Sequence, residues 1–291
     1  MAISSAVDPS VLHERREQRL ILMLLAPALL VVIGLLIVPL CWLAWQSFRQ
    51  DGGFTLAHYA RFVSDDVYWR TFLQTFRIAF VVTVATLLLA YPVAYVAASA
   101  SRRMSILILA MVILPFWTSV LVRSYAWLIL LQRRGLVNSA LDGMGLIDQP
   151  LILVNNELGT VIATTHILLP FMVLPLYAAM QKIPADLMMA GSSLGGSPAH
   201  VFWRVFLPLS LPGVLAGTVL VFVLALGFYI TPELLGGGRT YMVSMLVSRN
   251  IELYSEWGAA SSISVVLLLC VFGIFRLASM IIPFERIMGA R

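Results

Sequence analysis

Six runs of apolar residues, at 20–45, 78–98, 106–131, 158–180, 207–230 and 259–282, occupy most of this 291-residue chain. A hydrocarbon layer about 30 Å thick is crossed by about 20 helical residues rising 1.5 Å each, so every run is long enough to span a bilayer. Unbroken runs of this length let all backbone groups pair within the segment, and no two-residue alternation marks the strands of a barrel. Composition points the same way. Hydrophobic residues make up 60% of the chain and charged residues 11%, against about a quarter charged in a water-soluble protein. The expected fold is an all-α integral membrane protein of about six transmembrane helices. A polar segment at 1–19 precedes a transmembrane domain at 20–291. The first run lacks a small-residue cleavage site and is too long for a signal-peptide core, so it is expected to stay as a helix.

Charge sets the orientation. With the N-terminus and C-terminus in the cytoplasm, the inside carries Arg15, Arg16, Arg19, Arg102, Arg103, Lys182, Arg204, Arg276, Arg286 and Arg291, ten of the nineteen basic residues. The very short loop holding Arg102 and Arg103 tips the choice, because the positive-inside rule is most reliable for short loops. The opposite side collects Asp51, Asp65, Asp66, Asp142, Asp148, Glu252 and Glu256. Although the net charge is +5, the basic residues are scattered, which excludes the electrostatic footprint of a nucleic-acid binder. Cys41 and Cys270 both fall in apolar stretches and read as packing residues, not a disulfide.

Within the runs, Arg123 follows residue 106 by about 26 Å of helix and is expected to snorkel at the outer interface. Arg276 is expected to emerge at the inner face. Pro27, Pro39, Pro92, Pro115, Pro170 and Pro175 read as kinks whose freed carbonyls neighbours satisfy. The lone His166 is expected to hydrogen-bond a neighbour. Residues 236–238, three glycines before Arg239, read as a flexible outer turn and not a phosphate loop, since no lysine-serine ending follows.

The segment 182–206 reads as a short helix, a glycine stop and a second helix running to Pro208, all lying at the cytoplasmic membrane surface. Pro184 suits a first helical turn, Gly195 and Gly196 suit a left-handed helix end, and Ser197 before Pro198 is an N-cap with proline at the first position. Here the sequence resembles the permeases of ATP-binding-cassette importers, whose cytoplasmic loop reads E-A-A, three residues, G, nine residues, I-x-L-P. Gly195 takes the glycine, Ala190 and Gly191 the alanines, Val205 the isoleucine, and Leu207 and Pro208 the L-P. Met189 departs from the glutamate and Gly191 from the second alanine.

The resemblance covers almost the whole chain and is nearest the spermidine/putrescine (polyamine/opine) branch. PFWTSVLVRSYAWLILL at 115–131, LLPFMVLPLYAAM at 168–180, SLGGSP from Ser193, LPLSLPGVLAG from Leu207 and LGFYITPELLGG from Leu226 carry it. It implies a type I importer permease in the bacterial inner membrane, paired with a second homologous permease, an ATPase subunit dimer and a periplasmic substrate-binding protein. ATP and Mg would be bound by the ATPase, since this chain has no G-x-x-x-x-G-K-[ST] loop. It also implies that Met189, Ala190, Gly191, Leu194 and Gly195 form the coupling surface, the small residues permitting close approach.

A flexible polycation needs aromatic faces and carboxylates along its path. Trp117, Tyr125, Trp127, Tyr229 and Glu233 are the candidates, with Glu157 a weaker second acid. An opine, an amino acid or a related amino compound is the alternative solute. A secondary transporter would show intramembrane acids or an internal repeat, and a membrane enzyme a catalytic constellation such as H-E-x-x-H or G-x-S-x-G; the sequence shows neither, nor a metal site.

Overall fold

In a computed structural model of the protein, residues 9–50 and 52–281 are described. The first eight residues, Asp51 and residues 282–291, with Arg286 and Arg291, lie outside them. The long helices are α1 (Pro9–Gln46), α3 (Asp66–Ser99), α7 (Glu157–Met180), α10 (Leu207–Leu226) and α13 (Trp257–Ile281). Shorter ones are α2 (Ala57–Ser64), α4 (Arg102–Ile113), α5 (Val120–Leu131), α6 (Leu136–Gly143), α8 (Ala185–Ser193), α9 (Pro198–Val201), α11 (Ile230–Leu235) and α12 (Val243–Glu252). A two-stranded hairpin, β1 (Arg49–Gln50) and β2 (Gly53–Phe54), follows α1. Side chains start the helices: Asp65 accepts the Val67 N–H at 2.9 Å, Ser119 that of Leu121 at 3.3 Å, and Asn156 that of Gly159 at 2.9 Å.

The core is a bundle of α3, α7 and α10. Lipid tails are as apolar as leucine, so helices associate here through close packing, and small residues permit it. Ala79, Ala90 and Ala94 of α3 are fully buried. On α10, Gly213 and Gly217 lie one turn apart on the face that meets α7. A Cβ at Gly213 would stand 2.5 Å from the Ala179 Cβ and 3.0 Å from the Pro175 carbonyl oxygen; one at Gly217 would stand 2.6 Å from the Met172 sulfur. The polar residues buried on α3 turn back on their own helix, the hydroxyls of Thr75, Thr83 and Thr86 donating to the carbonyls of Thr71, Ala79 and Val82 at 2.6–2.7 Å.

Among the described residues, five helices are long and apolar enough to cross a membrane, and a bent pair makes the sixth. The expected helix at 106–131 is therefore two helices. α4 continues through a tight 3₁₀ turn at Leu114–Trp117, containing Pro115, and the chain bends by 99° before α5. Proline removes a backbone donor and Ser119 offers a new N-cap, so the break sits where both act. The other prolines inside runs leave their helices continuous. Two further boundaries differ. α1 continues back through the polar segment as far as Pro9. The second helix of the 182–206 segment is no separate surface helix: α9 passes through a π turn at Phe202–Phe206 straight into α10, giving one span from Pro198 to Leu226. Pro208 explains the widened turn. It lacks the N–H that would continue the α-helical ladder, and the Leu207 N–H bonds Phe202 instead.

Replacing Gly217 by valine is expected to lower the yield of folded, detergent-extracted protein severely, because the Met172 side chain and backbone leave no room for a branched Cβ. Gly273→Val, at a position with open space around it, should leave the yield unchanged. Equal size-exclusion profiles for the two variants would contradict the close α7–α10 contact.

Candidate functional site

Most of the residues singled out by the sequence gather at the two ends of the bundle. At one end, α3 runs into α4 and α7 into α8, tied by the Ser105 hydroxyl donating to Tyr177 at 3.0 Å. Here α8 ends at a left-handed glycine: Gly195 has φ +84°, its N–H bonds the Ser192 carbonyl at 3.0 Å, and the Gly196 N–H bonds the Gly191 carbonyl at 3.1 Å. Ser197 then accepts the His200 N–H at 3.3 Å with Pro198 in the first position, as the sequence predicts.

The expected coupling residues separate into two groups. Met189 and Leu194 are exposed, Leu194 by 89%, and Ala190 and Gly195 are exposed beside them. Gly191 is half-buried: a Cβ there would lie 3.2 Å from a Val201 methyl, so its bare backbone lets α9 sit close to α8, and it lines the same cavity as Leu194 and Gly195. Met188 and Ile183 anchor the segment on the bundle core. Leu187 and Trp203 add exposed apolar surface, and Leu194, His200 and Arg204 border a cavity of about 530 Å³.

The opposite end gathers the loops after α1, α6, α10 and α11. The Asn156 N–H bonds the Leu235 carbonyl at 3.1 Å, and the Gln74 amide donates to the Arg239 carbonyl at 3.0 Å. The glycines at 236–238 thus form a packed turn, with Gly237 close against Asn155. Arg61 on α2 donates to Glu256, before α13, at 2.6 Å. Hydrogen bonding to Arg61 holds the Glu256 carboxyl below the ordinary carboxylate range, and the same bond raises the Arg61 guanidinium further. Glu157, the second acid of the sequence reading, forms an ion pair with Arg77; it is a structural acid at the start of α7.

Between α10 and α11 the helix breaks at residues 227–229. α12 supports the break: Ser244 donates to the Phe228 carbonyl at 2.7 Å, and Ser248 donates to Glu252 at 2.7 Å while sitting 3.4 Å from the Tyr229 hydroxyl. Glu233 is exposed one turn beyond Tyr229, its N–H bonded to the Tyr229 carbonyl at 3.1 Å. Tyr241 lies in the field of Glu233 and carries the Arg249 guanidinium 4.7 Å from its ring centroid. Two carboxylates and two phenol rings thus border one break in the helix. Sequence reasoning found Tyr229 and Glu233 and missed Glu252, Ser248 and Tyr241; the Ser248–Glu252 spacing, one helical turn on α12, was the available signal.

The other candidate aromatics do not join this cluster. Trp117, on the 3₁₀ turn, is 87% exposed, and Tyr125 is exposed on the outer face of α5. Trp127 packs inward and donates its indole N–H to the Nδ1 of His166 at 3.1 Å, the neighbour expected for that histidine. Arg123, expected at the outer interface, is largely buried, and its Nε is enclosed without a hydrogen-bond partner. The 99° bend voids the straight-helix distance, and the side chain is 8% exposed, facing inward with Ser124, whose hydroxyl meets that of Thr231 at 2.9 Å.

The family described as binding-protein-dependent transport system inner membrane component matches residues 90–284. The chain is 34% identical over 218 residues to the spermidine/putrescine transport system permease protein PotB of Escherichia coli (strain K12), covering 74% of this chain and 79% of the relative. To the protein of the same name from Haemophilus influenzae it is 31% identical over 241 residues, covering 81% and 84%. Among solved structures, a bacterial ABC transporter involved in the import of the acidic polysaccharide alginate superposes with a TM-score of 0.66 at 16% identity, covering 94% of this chain and 99% of that one. A bacterial alginate ABC transporter in complex with alginate pentasaccharide-bound periplasmic protein gives 0.71 at 15% identity, covering 92% and 95%. The fold is that of a type I importer permease.

Because Gly191 faces Val201, Gly191→Trp is expected to reduce the amount of folded permease in the membrane, whereas Leu194→Asp, at a fully open position, should leave that amount unchanged. Quantitative blotting of membrane fractions and thermal unfolding in detergent check this. A normal yield and melting temperature for Gly191→Trp would overturn the close contact with Val201.

Proposed function

The chain belongs to the family of binding-protein-dependent transport system inner membrane components, and from that premise we propose that it conducts a small amine-bearing solute inward. It is an ABC importer permease subunit, with ATP hydrolysed by a separate subunit. Putrescine and spermidine are the first candidate solutes. The observation that carries this reading is the grouping of Glu233, Glu252 and Tyr229 around the break after α10, where the neighbouring Tyr241 ring already holds a guanidinium, that of Arg249. Carboxylates and phenol faces are the groups that hold ammonium ions, and relatives named for spermidine and putrescine support it. An opine, an amino acid or another amino compound is the second reading, favoured by the inward-facing cation Arg123.

In this arrangement the α8 end faces the cytoplasm, with the N-terminus and C-terminus, and the tyrosine-acid cluster faces the periplasm. Met189, Ala190, Leu194 and Gly195 present the coupling surface to an ATPase dimer that binds ATP and Mg. Gly191 and Gly195 shape the turn behind that surface. Because Met189 stands where the resemblance predicts a glutamate, docking rests on apolar contact through Met189, Leu187 and Leu194. A second, homologous permease and a periplasmic substrate-binding protein complete the complex; lipid surrounds the remaining faces. The apolar α1, unburied in this chain from Met23 onward, suits such surroundings.

Two experiments test the proposal. In a background lacking Cys41 and Cys270, a cysteine in the loop at 142–149 should react with a membrane-impermeant maleimide added to intact cells, and one at Ser192 should not; the reverse pattern would refute the orientation. In the reconstituted complex, the binding protein should stimulate ATP hydrolysis and drive amine uptake. Glu233→Gln and Glu252→Gln should each weaken uptake about tenfold, the scale of one lost charge-assisted bond, while ATPase assembly persists. Unchanged uptake kinetics in both variants would return the two acids to a structural role.

A further inference from the structure

Arg123 sits one turn before Trp127 on α5, about 5.4 Å along the helix axis, so both side chains lie on the face that packs toward α7. Its residue exposure is 8%. Its Nε has no hydrogen-bond partner, and among the described residues no carboxylate pairs with it. A buried cation inside a membrane-spanning segment is costly without an acceptor. Among the described residues, none bonds its Nε.

Neighbouring groups define the missing partner. The Trp127 indole can only donate, so the Nδ1 of His166 accepts and the neutral ring carries its proton on Nε2, as a second donor near Arg123. Among the described residues, the guanidinium and the imidazole N–H form a donor pair with no acid bonded to it. Such a pair fits the two oxygens of a carboxylate. A diamine offers it nothing, and its ammonium groups would be repelled.

We propose that Arg123 and His166 form a carboxylate subsite within the membrane, below the tyrosine-acid cluster. The transported solute then carries a carboxylate beside its amine, which makes it an amino acid or an amino-acid derivative. This rests on the amine-bearing reading of the cluster around Tyr229: the acids there take the ammonium end, and Arg123 takes the carboxylate end.

The test uses the whole complex in liposomes with its binding protein and three probes. Putrescine and ornithine share a diamine skeleton and differ by one carboxylate; pentanoate keeps a carboxylate without an amine. The wild type should import ornithine in preference to both. Arg123→Gln should raise the half-saturating ornithine concentration about tenfold or more and should not weaken any putrescine uptake. His166→Phe keeps an aromatic ring against Trp127 and leaves the cation in place, and should weaken ornithine uptake selectively even if Arg123→Gln fails to assemble. Equal effects on ornithine and putrescine, or dissociation of the permease pair in both variants, would overturn the subsite and assign Arg123 to a neighbouring subunit's acid. Pentanoate imported as well as ornithine would sink the amine reading while the subsite stood. Uptake of none of the three would overturn both.

Discussion

The close approach of α10 to α7 is the constraint on which the rest of the molecule depends. In a lipid solvent, burying apolar surface between helices gains little, so the bundle is held by how near its backbones can come. Gly213 and Gly217 lay bare backbone against Pro175, Met172 and Ala179, and the alanines of α3 close the third side. With those three axes fixed, the chain segments at their ends have no freedom of placement. α8 must leave from the end of α7 and return through α9 into α10. The break at residues 227–229 must open at the opposite end.

Irregular backbone is concentrated where the helices would otherwise be featureless. The π turn at Phe202–Phe206 is held against α3 by aromatic contacts, the Tyr95 ring meeting Phe206 edge-on at 4.9 Å and Phe202 at 5.7 Å. It lies between the α8 segment and α10 along the chain. At the other end the Phe228 carbonyl in the break after α10 is satisfied by the Ser244 hydroxyl of α12, and Ser248 of the same helix donates to Glu252. The bend between α4 and α5 turns Arg123 inward. The break and the bend thus each coincide with a polar group that a straight helix would have placed elsewhere.

The lengths of the apolar runs, set by bilayer thickness, were legible in the sequence and determined an all-α membrane protein. So were the local rules of backbone chemistry: the left-handed Gly195, the Ser197–Pro198 helix start, and the spacing of the 182–206 segment that carries the family resemblance. These depend on residues adjacent in the chain, and adjacency is what a sequence records. Only the tertiary structure decided which way Gly191 faces, that the third run breaks by 99°, that Glu157 is claimed by Arg77, and that Glu252 joins Glu233 around Tyr229. Each of these is settled by a partner distant in the chain or by which of two local options packs. In a bundle whose helices are apolar on nearly every face, periodicity does not tell the buried side from the lipid side, so only the meeting of backbones at Gly213 and Gly217 fixes where every other side chain points.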